Sequence, residues 1–377
     1  MAKTNRNGTI DLLRFFFCVL IVLRHFNDGM PKDSPMIIPG GGLGVEFFFV
    51  VSGYLMACSA YKRVNNGSPI KVAADTNTFM KRKMNGLLPD LIVASVFSIV
   101  CYSITLIPRG FKAILIDVAQ RIWSPLMLSA AGFGCITELW YLSAMIIAML
   151  VYYPILVKHF DSFVRIIAPL TAIFVIGFMY KGLGSLLNPS LFVTVMHKGM
   201  IRAFGEIALG VAIFPLIQSL SAKELTKKAK VLISLGNFLS VLFAFLIMAN
   251  REKPTYDLLC LAFITLCAIF SFSHQGILAD KFDNKFFSWL GKLSLTLYLS
   301  HKWIALSMKN VYSGVAKRHW FGLGEDTGFD YVFLLTAYLV CTVIACTVIY
   351  LISQYIRKHR ESSRKKLKKV FFDTAAQ

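Results

Sequence analysis

Residues 10–26 read IDLLRFFFCVLIVLRHF. The run is apolar enough for a helix in lipid, yet it carries Asp11, Arg14, Arg24 and His25. Ionisable side chains inside a membrane segment are costly, and where they occur they face a bundle interior or a water-filled cavity. At 100° per residue, Arg14 and His25 differ by about 20° around a helix axis and by roughly 16 Å along it. They share one face and cannot touch. The charges, and the lack of a small-residue cleavage site after the run, argue against a removed signal peptide.

The rest of the chain has the same character. Of its 377 residues, 56% are hydrophobic and 16% charged, against about 25% charged in a soluble domain. A spanning helix needs roughly 20 mostly apolar residues. On that measure spans fall at about 10–26, 43–61, 86–107, 138–158, 163–181, 200–219, 230–249, 256–273, 286–308 and 331–356. The expectation is an all-α, polytopic membrane protein of about ten transmembrane helices. The stretch 112–130 reads as a re-entrant or interfacial piece, and no internal repeat is visible.

The net charge of +20 would point to nucleic acid in a soluble protein. Here the basic residues lie in short runs between apolar stretches, as in cytoplasmic loops, so the lipid bilayer is the expected partner and nucleic acid is not. With the N-terminus inside, Lys and Arg favour the cytoplasmic segments by about two to one, which places both termini in the cytoplasm. The tail RKHRESSRKKLKK, 357–369, reads as a helix extension along anionic lipid. The eight cysteines lie almost entirely in apolar segments without a Cys-x-x-Cys pair, which reads as buried small side chains, not a disulfide framework or a metal site.

The second segment, GGGLGVEFFFVVSGYLMACSAY at 40–61, runs from outside to inside. Glu46 therefore lies at about the depth of His25, where a carboxylate can orient an imidazole and raise its basicity. Ser52 and Gly53 form a small pair that lets helices approach closely. Gly40–Gly44 lacks the Lys-Ser/Thr ending of a phosphate loop and reads as a flexible turn. Arg202 and Glu206 stand four apart on one helix face. Trp140 and Tyr141 open the fourth span, and His301 lies in the outer half of the ninth. His25, Glu46, Arg202, Glu206 and His301 thus form an outer polar layer. Arg14, Lys81, Arg82, Lys83 and Lys292 form an inner one. Two such layers suit an anionic donor inside and a polar acceptor outside.

Four stretches in this order resemble acyltransferase family 3, the bacterial transmembrane acyltransferases. The first is Arg14-x10-His25. The second is GVEFFFVVSGYL, similar to the family's Gly-Val-Asp/Glu-x-Phe-Phe-x-x-Ser-Gly run. The third is LWYLSAMIIAMLVYYP, similar to its Trp-Phe-Leu-Ser segment. The fourth is LGKLSLTLYLSH, which ends in His301. The resemblance covers about 10–356. It departs at Gly86, where a further arginine is common, and at Met145, where many members carry glutamate.

The resemblance implies one acyltransferase domain over residues 1–356 and a basic cytoplasmic tail at 357–377. It implies a multi-pass protein of the bacterial inner membrane. It also implies an acyl-CoA co-substrate, most often acetyl-CoA, with no permanently bound cofactor. The acceptor would be a hydroxyl of a cell-surface or lipid-linked carbohydrate. His25 would act as base or acyl carrier with Glu46 beside it, while Arg14, Lys81, Arg82 and Lys83 would hold the donor's phosphates. Trp140, Arg202, Glu206 and His301 would face the acceptor. Two rival readings stand beside this one: a transporter of a glycan, lipid or organic anion, and transfer of succinyl in place of acetyl. Transporters are commonly built from repeated halves and broken helices, which are not seen here.

Overall fold

A computed structural model describes residues 7–30, 34–131, 139–316 and 328–375. Lys3 and Arg6, which the charge bias assigns to the cytoplasmic side, lie outside them. The chain is helical almost throughout. The helices are α1 Gly8–Phe26, α2 Gly44–Val64, α3 Val72–Leu106, α4 Phe111–Arg121 and α5 Trp140–Lys158. They continue with α6 Phe160–Gly182, α7 Lys198–Ser221, α8 Lys227–Ala249 and α9 Tyr256–Ser273. The last two are α10 Lys285–Ala316 and α11 Gly328–Ala375. A two-stranded antiparallel hairpin, β1 Phe192–Val193 with β2 Met196–His197, precedes α7.

Among the described residues, eight helices are long and apolar enough to cross a membrane: α2, α3, α5 to α9 and α11. The remaining two of the expected spans are α1 and α10, whose charged and polar residues keep them from qualifying, and these two pack on each other. They run parallel. Asp11 lies against Gly291, the Cys18 thiol donates to the Ser294 carbonyl at 3.1 Å, and the His25 and His301 rings are 5.0 Å apart. The two most polar spans can persist because each turns its charges toward the other and away from lipid. Asn7 caps α1, accepting from the Ile10 amide, and donates to the Ser271 carbonyl at the end of α9.

Burial separates centre from periphery. The apolar windows of α2, α7 and α5 are 78%, 67% and 61% buried, whereas those of α8, α6 and α11 are 17%, 28% and 28%. The first group is surrounded by protein, and the second presents its Leu, Ile, Val and Phe outward as lipid-facing helices do. α2 and α7 meet through Gly53 and Gly210. A Cβ on Gly53 would overlap the Ile207 carbonyl, and one on Gly210 the Val50 carbonyl. The small residue read at 53 is thus a backbone-to-backbone contact.

Two sequence expectations change. The span read from 86 begins at Val72, so Lys81, Arg82 and Lys83 lie on α3 itself. The turn at Gly40–Gly44 is not loose: Gly41–Leu43 is a 3-10 turn, and a Cβ on Gly41 would press on the Leu20 carbonyl and Arg24. α11 continues without a break through the described part of the tail. The stretch 112–130 holds the short α4, with Phe111, Leu115 and Ile116 exposed. Arg357 of α11 lines one cavity with Arg14 of α1 and Gly291 of α10. The start of α1 and the end of α11's membrane portion are therefore at one end of the bundle, as an even number of crossings requires.

Candidate active site

Three cavities lie along the shared face of α1 and α10. The inner one, about 590 Å³, is lined by Arg14, Arg82, Lys83, Lys292, Arg357 and Asp90, among others. The outer one, about 330 Å³, is lined by Arg24, His25, Asp28, Trp140, Arg202 and Lys302, with Tyr298 in its wall. Between them is a pocket of about 100 Å³ that shares Arg14, Lys83 and Leu295 with the inner cavity and Tyr298 with the outer. Its other walls include Val51, Leu55, Leu142 and Met145, so the passage is mainly apolar between two charged ends.

His25 ends α1, and the chain then turns through Asn27–Gly29, which returns Asp28 to the imidazole. Nδ1 of His25 lies 2.6 Å from Oδ2 of Asp28, and the Lys302 ammonium contacts the same oxygen. Lys302 Nζ is also 3.2 Å from Nδ1 of His25. An ammonium carries only donors, so the imidazole N–H and the ammonium both converge on Asp28. That arrangement puts the imidazole proton on Nδ1 and leaves Nε2 with a free lone pair. Arg24 stands 3.7 Å from the other carboxylate oxygen. Burial pushes the Asp28 carboxyl up, but the hydrogen bond from His25 and the charges around it hold it below the usual carboxylate range. Asp28 is the feature the sequence reading missed. Its signal was there, since a residue three on from His25 returns to the same face.

Glu46 had been expected to orient His25. The structure corrects this: Asp28 holds that position, and Glu46 faces Arg202. Glu46 Oε1 is 3.4 Å from Nη2 of Arg202, and Nε of Arg202 donates to Glu206 at 2.7 Å. Side chains of all three are at most 1% exposed. The reason is geometric. Depth along a helix follows from residue number, but Glu46 points from α2 toward α7. The two carboxylates fix Arg202, which enters the outer cavity's wall with its guanidinium 5.9 Å from the centre of the Trp140 ring, a cation–π approach. Trp140 and Arg202 are thus brought together at the outer cavity, with Glu206 behind them.

His301 is fully buried, and its Nδ1 donates to the Tyr298 carbonyl at 2.6 Å. Its Nε2 has no hydrogen-bond partner among the described residues. It supports the His25 ring from behind and does not line the outer cavity. Of the inner cations, Arg14, Arg82 and Lys83 converge on the inner cavity, whereas Lys81 is exposed on α3 outside that lining. Arg14 also lies 4.0 Å from Asp11. Met145 accepts from the Ser52 hydroxyl at 3.2 Å within the middle pocket. Arg357 was not foreseen as part of the site, because nothing local in sequence connects it with α3. Among the described residues one His/Asp cluster has metal-ligand spacing, His274, Asp280 and Asp283. It lies on the surface at the inner end, where Asp283 accepts from the Gly8 amide.

A family model described as an acyltransferase domain matches residues 7–351 of the chain. No curated protein and no solved structure matches it.

Proposed function

The chain belongs to acyltransferase family 3, and on that premise we propose that it moves an acetyl group from acetyl-CoA to a hydroxyl of a cell-surface or lipid-linked carbohydrate. One observation carries the reading. A basic cavity at one end of the bundle and a His–Asp pair at the other are linked by an apolar pocket through the core. CoA is a polyanion with a long uncharged arm that ends in the thioester. Its phosphates suit Arg14, Arg82 and Lys83, since guanidinium and ammonium groups bind phosphate through charge-assisted hydrogen bonds. Its pantetheine arm suits the passage between Met145 and Leu295. Arg14 and His25 stand roughly 16 Å apart along α1, comparable to the reach of that arm.

At the outer end the chemistry is general base catalysis. Nε2 of His25 takes the proton of the acceptor hydroxyl as its oxygen attacks the thioester carbonyl. The carbon–sulfur bond breaks, and the departing CoA thiolate recovers the proton from His25. Asp28 holds the imidazole in the tautomer that leaves Nε2 free and stabilises the imidazolium while it exists. Trp140 offers an apolar face for a sugar ring beside the Arg202 guanidinium. With Arg14 at the cytoplasmic end, donor and acceptor enter from opposite sides of a bacterial inner membrane.

The test uses the intact chain in lipid nanodiscs, where both faces are open to solution, with radiolabelled acetyl-CoA and an extract of surface glycans. Label should move to carbohydrate and be released by mild base, as expected of an ester. A transporter would leave all label on CoA across a panel of acyl donors and acceptors, and that outcome sinks the reading.

A further inference from the structure

We propose that Arg357, supplied by α11 beyond the span of the family match, is a phosphate ligand for the donor, parked on Asp90 until a phosphate takes the carboxylate's place. The inference rests on the inner cavity being the acyl-CoA site. The family match ends at residue 351, six residues before Arg357.

The geometry is of an incomplete pair. Nη2 of Arg357 donates both to Asp90 Oδ2 and, at 3.0 Å, to the Gly86 carbonyl. Nε and Nη1 make no hydrogen bond with a described residue, and Asp90 Oδ1 is buried without a partner. A guanidinium has a planar fork that matches carboxylate or phosphate through two parallel bonds. Here it uses one prong, and it does so in the wall of the inner basic cavity. That cavity sets Arg14, Arg82, Lys83, Lys292 and Arg357 against the one carboxylate of Asp90. Such an excess of one sign raises the local concentration of a multiply charged anion.

Gly86 explains why the guanidinium comes from so far away. A Cβ on Gly86 would meet nothing within 4 Å, so α3 leaves that part of the wall bare. Arg357 fills it from the opposite side of the cavity. Arg360, one turn further along α11, reaches Asn85 at 3.5 Å. The start of the basic extension is thus fastened over the same turn of α3.

The experiment measures binding of acetyl-CoA to the full chain in lipid nanodiscs by calorimetry, for the wild type, Arg357→Gln and Asp90→Asn. Loss of a charge-assisted hydrogen bond should weaken the first variant roughly tenfold. Asp90→Asn should bind acetyl-CoA more tightly than the wild type, because it removes the competing carboxylate and frees Arg357. Placing Gly86→Arg in the Arg357→Gln background should restore most of the lost affinity. Unchanged binding by Arg357→Gln overturns the proposal. So does equal weakening in Arg357→Gln and Asp90→Asn, which would make the pair a structural latch. A wild-type chain that binds no acetyl-CoA instead removes the donor reading of the cavity, and this outcome is distinguishable because it appears before any variant is compared.

Discussion

The Asp28 carboxylate lies 2.6 Å from Nδ1 of His25, and the two residues are one helical turn apart at the outer end of α1. A single short segment therefore carries both the proposed base and the carboxylate that holds its ring. Lys302 closes the arrangement from α10.

Replacement at this pair should separate proton transfer from folding. His25→Ala should abolish acyl transfer, with a loss of roughly 10²–10⁴-fold, while the protein still inserts and purifies. Asp28→Asn keeps the shape and removes the charge that fixes the tautomer, so its loss should be nearly as large. Glu46→Gln should be milder, since it acts through Arg202, and a change at exposed Lys158 should be silent. Rates in membranes at matched expression check the order. Activity in Asp28→Asn equal to that of the wild type would remove Asp28 from the mechanism.

The dependence on pH follows from the depressed Asp28 carboxyl. A folded-state value below the unfolded one means that its stabilising contribution is fully present above about pH 4. It is lost only as pH falls through the lower folded value. Asp28 is thus ionised throughout the working range and adds no step of its own to the acid limb of the activity profile. The shape of that limb in the wild type should therefore owe nothing to Asp28. A second titration between pH 4 and 7 that disappears in Asp28→Asn would contradict this.

At the inner end the prediction separates neighbours on α3. Arg14→Ala and Lys83→Gln should each raise the acetyl-CoA concentration needed for half-maximal rate, by roughly tenfold for a lost charge-assisted bond. Lys81→Gln should leave it unchanged, because Lys81 is exposed outside the cavity. Initial rates over a range of donor concentrations decide. Equal effects at 81 and 83 would mean that general basicity, not the cavity, attracts the donor.

The α2–α7 contact predicts a pure stability effect. Gly53→Leu places a side chain on the Ile207 carbonyl, where backbone would have to move. Overpacking of this kind costs about 1–3 kcal/mol or more, so thermal unfolding in detergent should occur at lower temperature. Gly177→Leu is the control, since a Cβ there meets nothing within 4 Å.

How much of this was readable beforehand varies with the kind of distance involved. Arg14 and His25 share a helix, so periodicity alone put them on one face and gave their separation. The Arg202–Glu206 pair was legible for the same reason, being four residues apart. Glu46 was placed at the right depth and with the wrong partner, because one coordinate along a helix says nothing of the direction in which a second helix turns its side chain. The cavity formed by α1, α3, α10 and α11 depends on contacts between residues as far apart as Asp90 and Arg357, and no local pattern encodes those.

The parallel pairing of α1 with α10 has a consequence for how the chain is made. α1 leaves the ribosome long before α10, yet the Asp11 carboxylate, the Cys18 thiol and the His25 ring all find neighbours on α10. During most of synthesis α1 must wait with only its local pairs, Asp11 with Arg14 and Asp28 with Arg24 and His25, either held by the insertion machinery or lying at the interface. Its marginal hydropathy is then an aid, since a helix that did not enter lipid early remains free to dock late. In a chain whose other cysteines are replaced by serine, nascent chains stalled before residue 285 should leave Cys18, whose thiol is buried against Ser294 in the folded protein, open to water-soluble thiol reagents. Release of the whole chain should close it.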